Sequence, residues 1–206
     1  MAYAGPELLT GDHLLERFDC GKPALNEWVV RRALNNQANG TSRTWVVVES
    51  DSHNVVAFYA SATASVLRSS TPKRMRRNQP EEMPAILLAR MAVDSRHKGQ
   101  GLGAALLKHF MLKALEVAES VGVRVPLIHA KDDEAKSFYS HYGFVESPID
   151  PLVSMVLPGE LYPTGGSSRW SANGSKRMTN SPRNLVTPGR RSPRLSVRAL
   201  TLVVPL

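Results

Sequence analysis

Hydrophobic positions along the chain change period several times, and each change predicts an element. Over residues 23–40, PALNEWVVRRALNNQANG, the positions Leu25, Trp28, Val29, Arg32 and Ala33 are spaced as on an amphipathic helix that Asn39-Gly40 can close. Residues 42–51, SRTWVVVESD, are rich in β-branched and aromatic side chains, DSHN supplies turn chemistry, and NVVAFYASATASV resumes a strand-like pattern. That sequence predicts a β-hairpin. Residues 69–84, SSTPKRMRRNQPEEMP, have no apolar period and hold three prolines, so they predict a loop or broken helix. AILLARMAVD, which follows, is a nearly continuous apolar run, the mark of a strand buried on both faces in the middle of a sheet.

From Gly101 the period becomes helical: Leu102, Ala105, Leu106, Phe110, Ala114, Val117 and Val121 step by three and four. VRVPLIHAK then returns to strand, DDEAKSFYSHYGF reads as a helix that starts on acidic residues and stops at Gly143, and PLVSMVLP is a last strand. The order predicts an α/β fold with a parallel strand pair joined by a crossover helix. From about Gly159 the periodicity ends in GGSSRWSANGSKRMTNSPRNLVTPGRRSPR, and 159–206 is expected to be a disordered basic tail behind a single domain over 1–158.

Composition narrows the class. Hydrophobic residues at 42% and charged residues at 21% exclude a wholly disordered or fibrous chain, and a length of 206 leaves room for one substantial core. No apolar run approaches the ~18 residues of a membrane span, and the N-terminus lacks a signal-peptide pattern, so the expectation is a cytoplasmic protein with no membrane partner. The single Cys20 excludes an internal disulfide and a cysteine-based zinc site, and it reads as a small half-buried residue. Net charge is +8, but residues 1–158 carry 18 Lys and Arg against 17 Asp and Glu, so most of the basic character lies in the tail. Its arginines could touch nucleic acid, although a solvated appendage is the simpler reading.

The chemistry is concentrated in RHKGQGLG, residues 96–103. Glycines 99, 101 and 103 follow a strand and open a helix, where backbone N–H groups and the helix dipole can converge on an anion such as a pyrophosphate. The stretch is not a P-loop, because no Lys-Ser/Thr follows, and it lacks the final glycine spacing of the dinucleotide fingerprint.

Arg96-x-x-Gly99-x-Gly101 after ARMAVD resembles the acetyl-CoA motif of the Gcn5-related N-acetyltransferase (GNAT) family. The resemblance implies a central mixed sheet whose two parallel strands, ARMAVD and VPLIHAK, splay into a V, with helices on both faces. It places Met91, Ala92 and Val93 along the pantetheine of acetyl-CoA, and Arg96, His97, Lys98, Gly99, Gln100, Gly101, Leu102, Gly103 and Ala104 around its phosphates, with no metal. Residues 7–158, through FDCGKPALNEWVVRRALNNQANGTSRTWVV, LARMAVD and HAKDDEAKSFYSHYGFVESP, are similar to TacT-type GNAT toxins, which acetylate the amine of aminoacyl-tRNA. That likeness implies Tyr139 as the general acid, a ribbon-helix-helix antitoxin as partner, contact with operator DNA only through that antitoxin, and a homodimer.

The residues bear on the acceptor independently. ARMAVD offers no carboxylate before Asp94, so a strong base is missing. An α-amine of pKa about 7.7–8 is substantially neutral near pH 7.4, whereas a lysine at about 10.4 is not. His129, on the strand bordering the V, could act as a base through water or serve as a strand histidine that shapes the cleft. Positive charge for tRNA phosphates is available in Arg31 and Arg32 on the first helix and in Lys73, Arg74, Arg76 and Arg77 in the long loop, with Arg90 beside the pantetheine strand. The alternatives are acetylation of a small amine or protein lysine, and a binding or regulatory module that has kept the fold without catalysis.

Overall fold

The computed structural model describes residues 2–155. The expected tail over 159–206, and the end of the last expected strand, lie outside the described residues. Seven strands form one sheet: β1 (Tyr3–Leu8), β2 (Arg43–Glu49), β3 (Val55–Leu67), β4 (Glu82–Val93), β5 (Val125–His129), β6 (Val145–Glu146) and β7 (Val153–Met155). Their spatial order is β1-β2-β3-β4-β5-β7-β6. Every pairing is antiparallel except β4 with β5, so the strand with the most continuous apolar run is the central one.

Alternation along the strands sends side chains to two cores. On one face, α4 (Leu102–Val121) and α5 (Asp133–His141) pack with Val47, Tyr59, Leu88 and Ile128. On the other, α1 (Pro23–Arg31) and α2 (Ala33–Ala38) place Trp28, Val29 and Ala33 against Val46, Val48 and Phe58. Leu106, Leu107 and Phe110 of α4 are 0% exposed. Burying each contributes roughly 1.5–3 kcal/mol, which fixes the crossover helix against the sheet. α4 begins after Gly101 and ends on Gly122, both left-handed, as its period predicts.

The structure departs from the sequence reading at the first helix and at the first strand. The single helix expected over 23–40 is broken at Arg32 (φ −121°, ψ −25°), although Arg32 N–H still bonds Trp28 O and Asn36 N–H bonds Arg32 O. With the hydrogen-bond ladder carried across the break and no proline or glycine present, nothing local in the sequence marks it. Strand β1, YAGPEL, is an edge strand whose Gly-Pro and exposed side chains hide it from any period-2 search. Within 69–84 the structure has the broken helix that the sequence allows: α3 (Lys73–Arg76) is pinned by Met75, which is 1% exposed beside Val66 and Met83.

Candidate active site

The site begins where β4 leaves β5. Their parallel pairing ends at Leu88–Ile128, while β4 continues to Val93. On its other side β4 pairs with β3 through Ser61–Leu88 and then Ala60–Arg90, so Ala89 is an extra residue, a β-bulge. The bulge reverses the alternation. Leu88 and Met91 both meet the α4 core, whereas Arg90 and Ala92 turn to the α1 side. Among the described residues no strand pairs with the β5-side edge of β4 from Arg90 to Val93, and backbone in that state can pair with an extended ligand. Met91, Ala92 and Val93 lie along that edge.

The glycine turn delivers the helix mouth next to it. Gly99 (φ +77°) and Gly101 (φ +79°) adopt left-handed conformations that other residues enter only with strain. The first α4 hydrogen bond runs from Ala105 N–H to Gly101 O, and no side chain caps the helix. The N–H groups of Leu102, Gly103 and Ala104 therefore face outward at the positive end of the dipole.

Several side chains of this turn are held by the protein rather than presented to a ligand. Asp94 is 0% exposed and accepts from the N–H groups of Asp19 (2.9 Å) and Arg96 (2.9 Å) and from Nε and Nη2 of Arg96 (3.0 and 2.8 Å). Burial opposes its ionisation, but these bonds together outweigh it and hold the carboxyl at about 2. Arg96 Nη2 also donates to Arg17 O at 2.6 Å, so the arginine of the motif braces the turn. His97 is buried with Nδ1 3.0 Å from the Tyr3 hydroxyl, and that hydroxyl donates to Gln100 Oε1 at 2.6 Å. Lys98 stays exposed beside the turn. The sequence reading names Asp94 only as a carboxylate too late on the strand to serve as a base, and singles out neither Asp19 nor Tyr3. The Asp94-x-Arg96 spacing was a visible signal for the brace at Asp94, while nothing local announces Tyr3.

Tyr139 comes from α5, whose N-cap Asp132 accepts from Ala135 N–H at 3.0 Å. The side chain is 7% exposed, with the rings of Phe138 and Phe144 at 5.3 and 6.0 Å. Burial, with a smaller contribution from the Asp132 charge, pushes its phenol well above the ordinary tyrosine value. Its hydroxyl has no hydrogen-bond partner among the described residues, yet it is not one of their sealed unpaired atoms, Ser42 Oγ, Thr44 Oγ1 and Arg124 Nε. Phe138 lies 3.6 Å from where a Cβ on Gly103 would sit, with Val93 at 4.0 Å, so α5, the α4 mouth and the β4 edge meet at one place.

His129 ends β5 with an exposed side chain, in register with Val153 of β7. Asp94 is committed to Arg96 and is no base. Of the cationic residues, Arg31 pairs with Glu27 at 3.5 Å on the outer face of α1, and Arg76 donates to Thr71 O and Ser69 O, bracing its own loop. Lys73, Arg74 and Arg77 are exposed. Arg90 lies over Trp28, its guanidinium carbon 4.5 Å from the ring centroid, and burial together with the nearby Arg32 charge lowers its pKa. Among the described residues no three His, Cys, Asp or Glu side chains gather as metal ligands would, and no helix is long and apolar enough to cross a membrane.

A sheet with a bulged, splayed central strand and an open helix mouth beside it defines an acyl-CoA-dependent acyltransferase architecture. Residues 40–146 match the acetyltransferase (GNAT) domain family, and the chain belongs to that family. It is 41% identical over 155 residues to a tRNA-acetylating toxin of Mycobacterium tuberculosis (strain ATCC 25618 / H37Rv), covering 75% of this chain and 92% of that protein. A probable toxin TacT of Sinorhizobium fredii (strain NBRC 101917 / NGR234) is 29% identical over 150 residues, 68% of this chain and 82% of the relative. Among solved structures, AtaT complexed with acetyl-methionyl-tRNAfMet superposes with a TM-score of 0.72 at 25% identity, over 75% of this chain and 95% of that one. An AtaT mutant bound to the C-terminus of the antitoxin AtaR and acetyl-CoA gives 0.66 at 25% identity, over 77% and 97%.

Proposed function

We propose that this chain transfers the acetyl group of acetyl-CoA to the α-amino group of aminoacyl-tRNA and thereby blocks translation as the toxin of a toxin-antitoxin pair. The observation that carries the reading is the 41% identity extending over 92% of a tRNA-acetylating toxin. The site agrees with it chemically. Three outward amides at the α4 mouth suit a pyrophosphate, and the open β4 edge suits the amide-bearing pantetheine arm that leads from it into the V.

Acetyl-CoA supplies an activated acyl group as a thioester. The residues do the rest. The Leu102, Gly103 and Ala104 amides with Lys98 anchor the diphosphate, and Met91, Ala92 and Val93 hold the arm so that the thioester lies near Tyr139. The neutral amine attacks the carbonyl, a C–N bond forms, the C–S bond breaks, and the Tyr139 phenol gives its proton to the departing sulfur while the amine releases one to water. No side-chain base is required, because the α-amine of an aminoacyl ester is partly neutral at physiological pH. Arg32, Lys73, Arg74, Arg77 and Arg90 meet the tRNA phosphates, Arg31 and Arg76 lying at the margins of the same two clusters. The enzyme works in the cytoplasm through its 1–158 domain as a homodimer. A ribbon-helix-helix antitoxin restrains it, and operator DNA is reached through that partner.

Mass spectrometry of tRNA-linked amino acids after brief induction tests the reading. N-acetylated α-amines are expected. Label from acetyl-CoA appearing on a polyamine or peptide panel while charged tRNA stays unlabelled would overturn it.

A further inference from the structure

We infer that Arg90, seated on Trp28 and backed by Arg32, is the binding site for the phosphate group that precedes the aminoacylated terminal nucleoside of the acceptor. The inference rests on the proposed acetylation of aminoacyl-tRNA and goes beyond it by assigning one phosphate to one guanidinium.

Charge is unbalanced around Arg90. Arg68 and Arg96 each have a carboxylate within 3.0 Å, and Arg43 and Arg76 donate to backbone carbonyls at 2.7 Å. Arg90 has no such partner among the described residues, although it is half-buried. Its contact is the Trp28 ring, which is 6% exposed and itself stacked on Phe58 at 6.0 Å and 20°. Stacking occupies one face of the guanidinium and leaves the in-plane N–H donors unspent. A half-buried cation without a counter-ion is costly to the fold, and a second cation beside it adds to the cost. Arg32 supplies that second charge from the break between α1 and α2. An anion received there would offset both.

Position says which anion. The Ala89 bulge turns Arg90 to the face opposite α4, at the level where β5 has just left β4. The coenzyme diphosphate belongs to the α4 mouth on the other face, so an anion at Arg90 enters with the acceptor. In an aminoacyl acceptor the amine and the nearest phosphate are separated by an ester and one ribose. In this assignment that phosphate, one nucleoside away from an amine in the V, is seated at the side chain rooted one residue past the bulge. Arg90 would take two of its oxygens in a bidentate pair, and Arg32 would contribute charge.

The test compares kcat/KM for a 3′-aminoacyl adenosine with and without a 5′-phosphate, in the wild type and in Arg90→Gln and Arg32→Gln. A charge-assisted pair worth ~1.5–3 kcal/mol predicts a preference of roughly ten- to hundredfold for the phosphorylated acceptor. Arg90→Gln should bring the ratio near one, and Arg32→Gln should lower it by a smaller factor. A wild-type ratio near one, a ratio preserved in Arg90→Gln, or both short acceptors silent while charged tRNA is acetylated would overturn the inference. Should Arg90→Gln fail to fold by thermal melting, the exposed Arg32→Gln decides, and an unchanged ratio there overturns it. If charged tRNA itself takes no label, the proposed function fails instead.

Discussion

Asp94 and Arg96 form a closed clamp: the fully buried carboxylate receives Nε and Nη2 of the arginine at 3.0 and 2.8 Å. The residue that opens the glycine motif thus spends its charge on shaping the turn.

The clamp has a pH signature. With its carboxyl held at about 2 against an ordinary 3.8, Asp94 stabilises the fold above the unfolded value, and that contribution is lost as pH falls through the folded one. The difference amounts to about 2 kcal/mol. Asp94→Asn should lower the melting temperature at pH 7, show a flatter acid limb between pH ~4 and ~2, and weaken acetyl-CoA binding measured by calorimetry.

Tyr139→Phe should keep the fold, because the ring contacts with Phe138 and Phe144 remain and the hydroxyl has no partner among the described residues. With Tyr139 in its proposed role of general acid, the substitution should remove roughly 10²- to 10⁴-fold in single-turnover acetyl transfer. The phenol is raised by burial and then by Asp132, so it stays protonated to higher pH than a free tyrosine. The wild-type rate should accordingly show no alkaline fall from this group below about pH 10.

Two glycines of the turn should respond in opposite ways to alanine. Gly101 sits at φ +79°, where a Cβ costs roughly 1–2 kcal/mol, so Gly101→Ala should destabilise the helix start and raise the KM for acetyl-CoA. Gly103 has no such backbone, and its Cβ would meet Phe138 at 3.6 Å and Val93 at 4.0 Å, ordinary contact distances. Gly103→Ala should be neutral to slightly stabilising in urea melts, by up to about 1 kcal/mol.

Tyr3→Phe removes the hydroxyl that bonds Gln100 and His97 and leaves the ring in place. At about 1 kcal/mol for each net bond, the two together bound the rise in the KM for acetyl-CoA at roughly thirtyfold, with kcat little changed. An equal fall in kcat would mean that Tyr3 acts on the chemical step instead.

Local periodicity was sufficient for the elements that carry their own signal. The continuous apolar run of β4, the three-and-four spacing of α4, the acidic start and Gly143 stop of α5, and the glycine turn all appear where the sequence places them, because each depends on residues a few positions apart. Tertiary structure decided what those elements present. The Ala89 bulge exists only as a mismatch in the count of residues on β3 and β4, and the V opens only because β5 ends at His129 while β4 runs on. Gln100 and His97 are both held by the Tyr3 hydroxyl, 97 and 94 residues away on the edge strand. Arg90 lies over Trp28 on the α1 side because that bulge reverses the alternation. Side-chain direction in a sheet follows register between strands, and register is a property of chain segments meeting, which no stretch of sequence contains by itself.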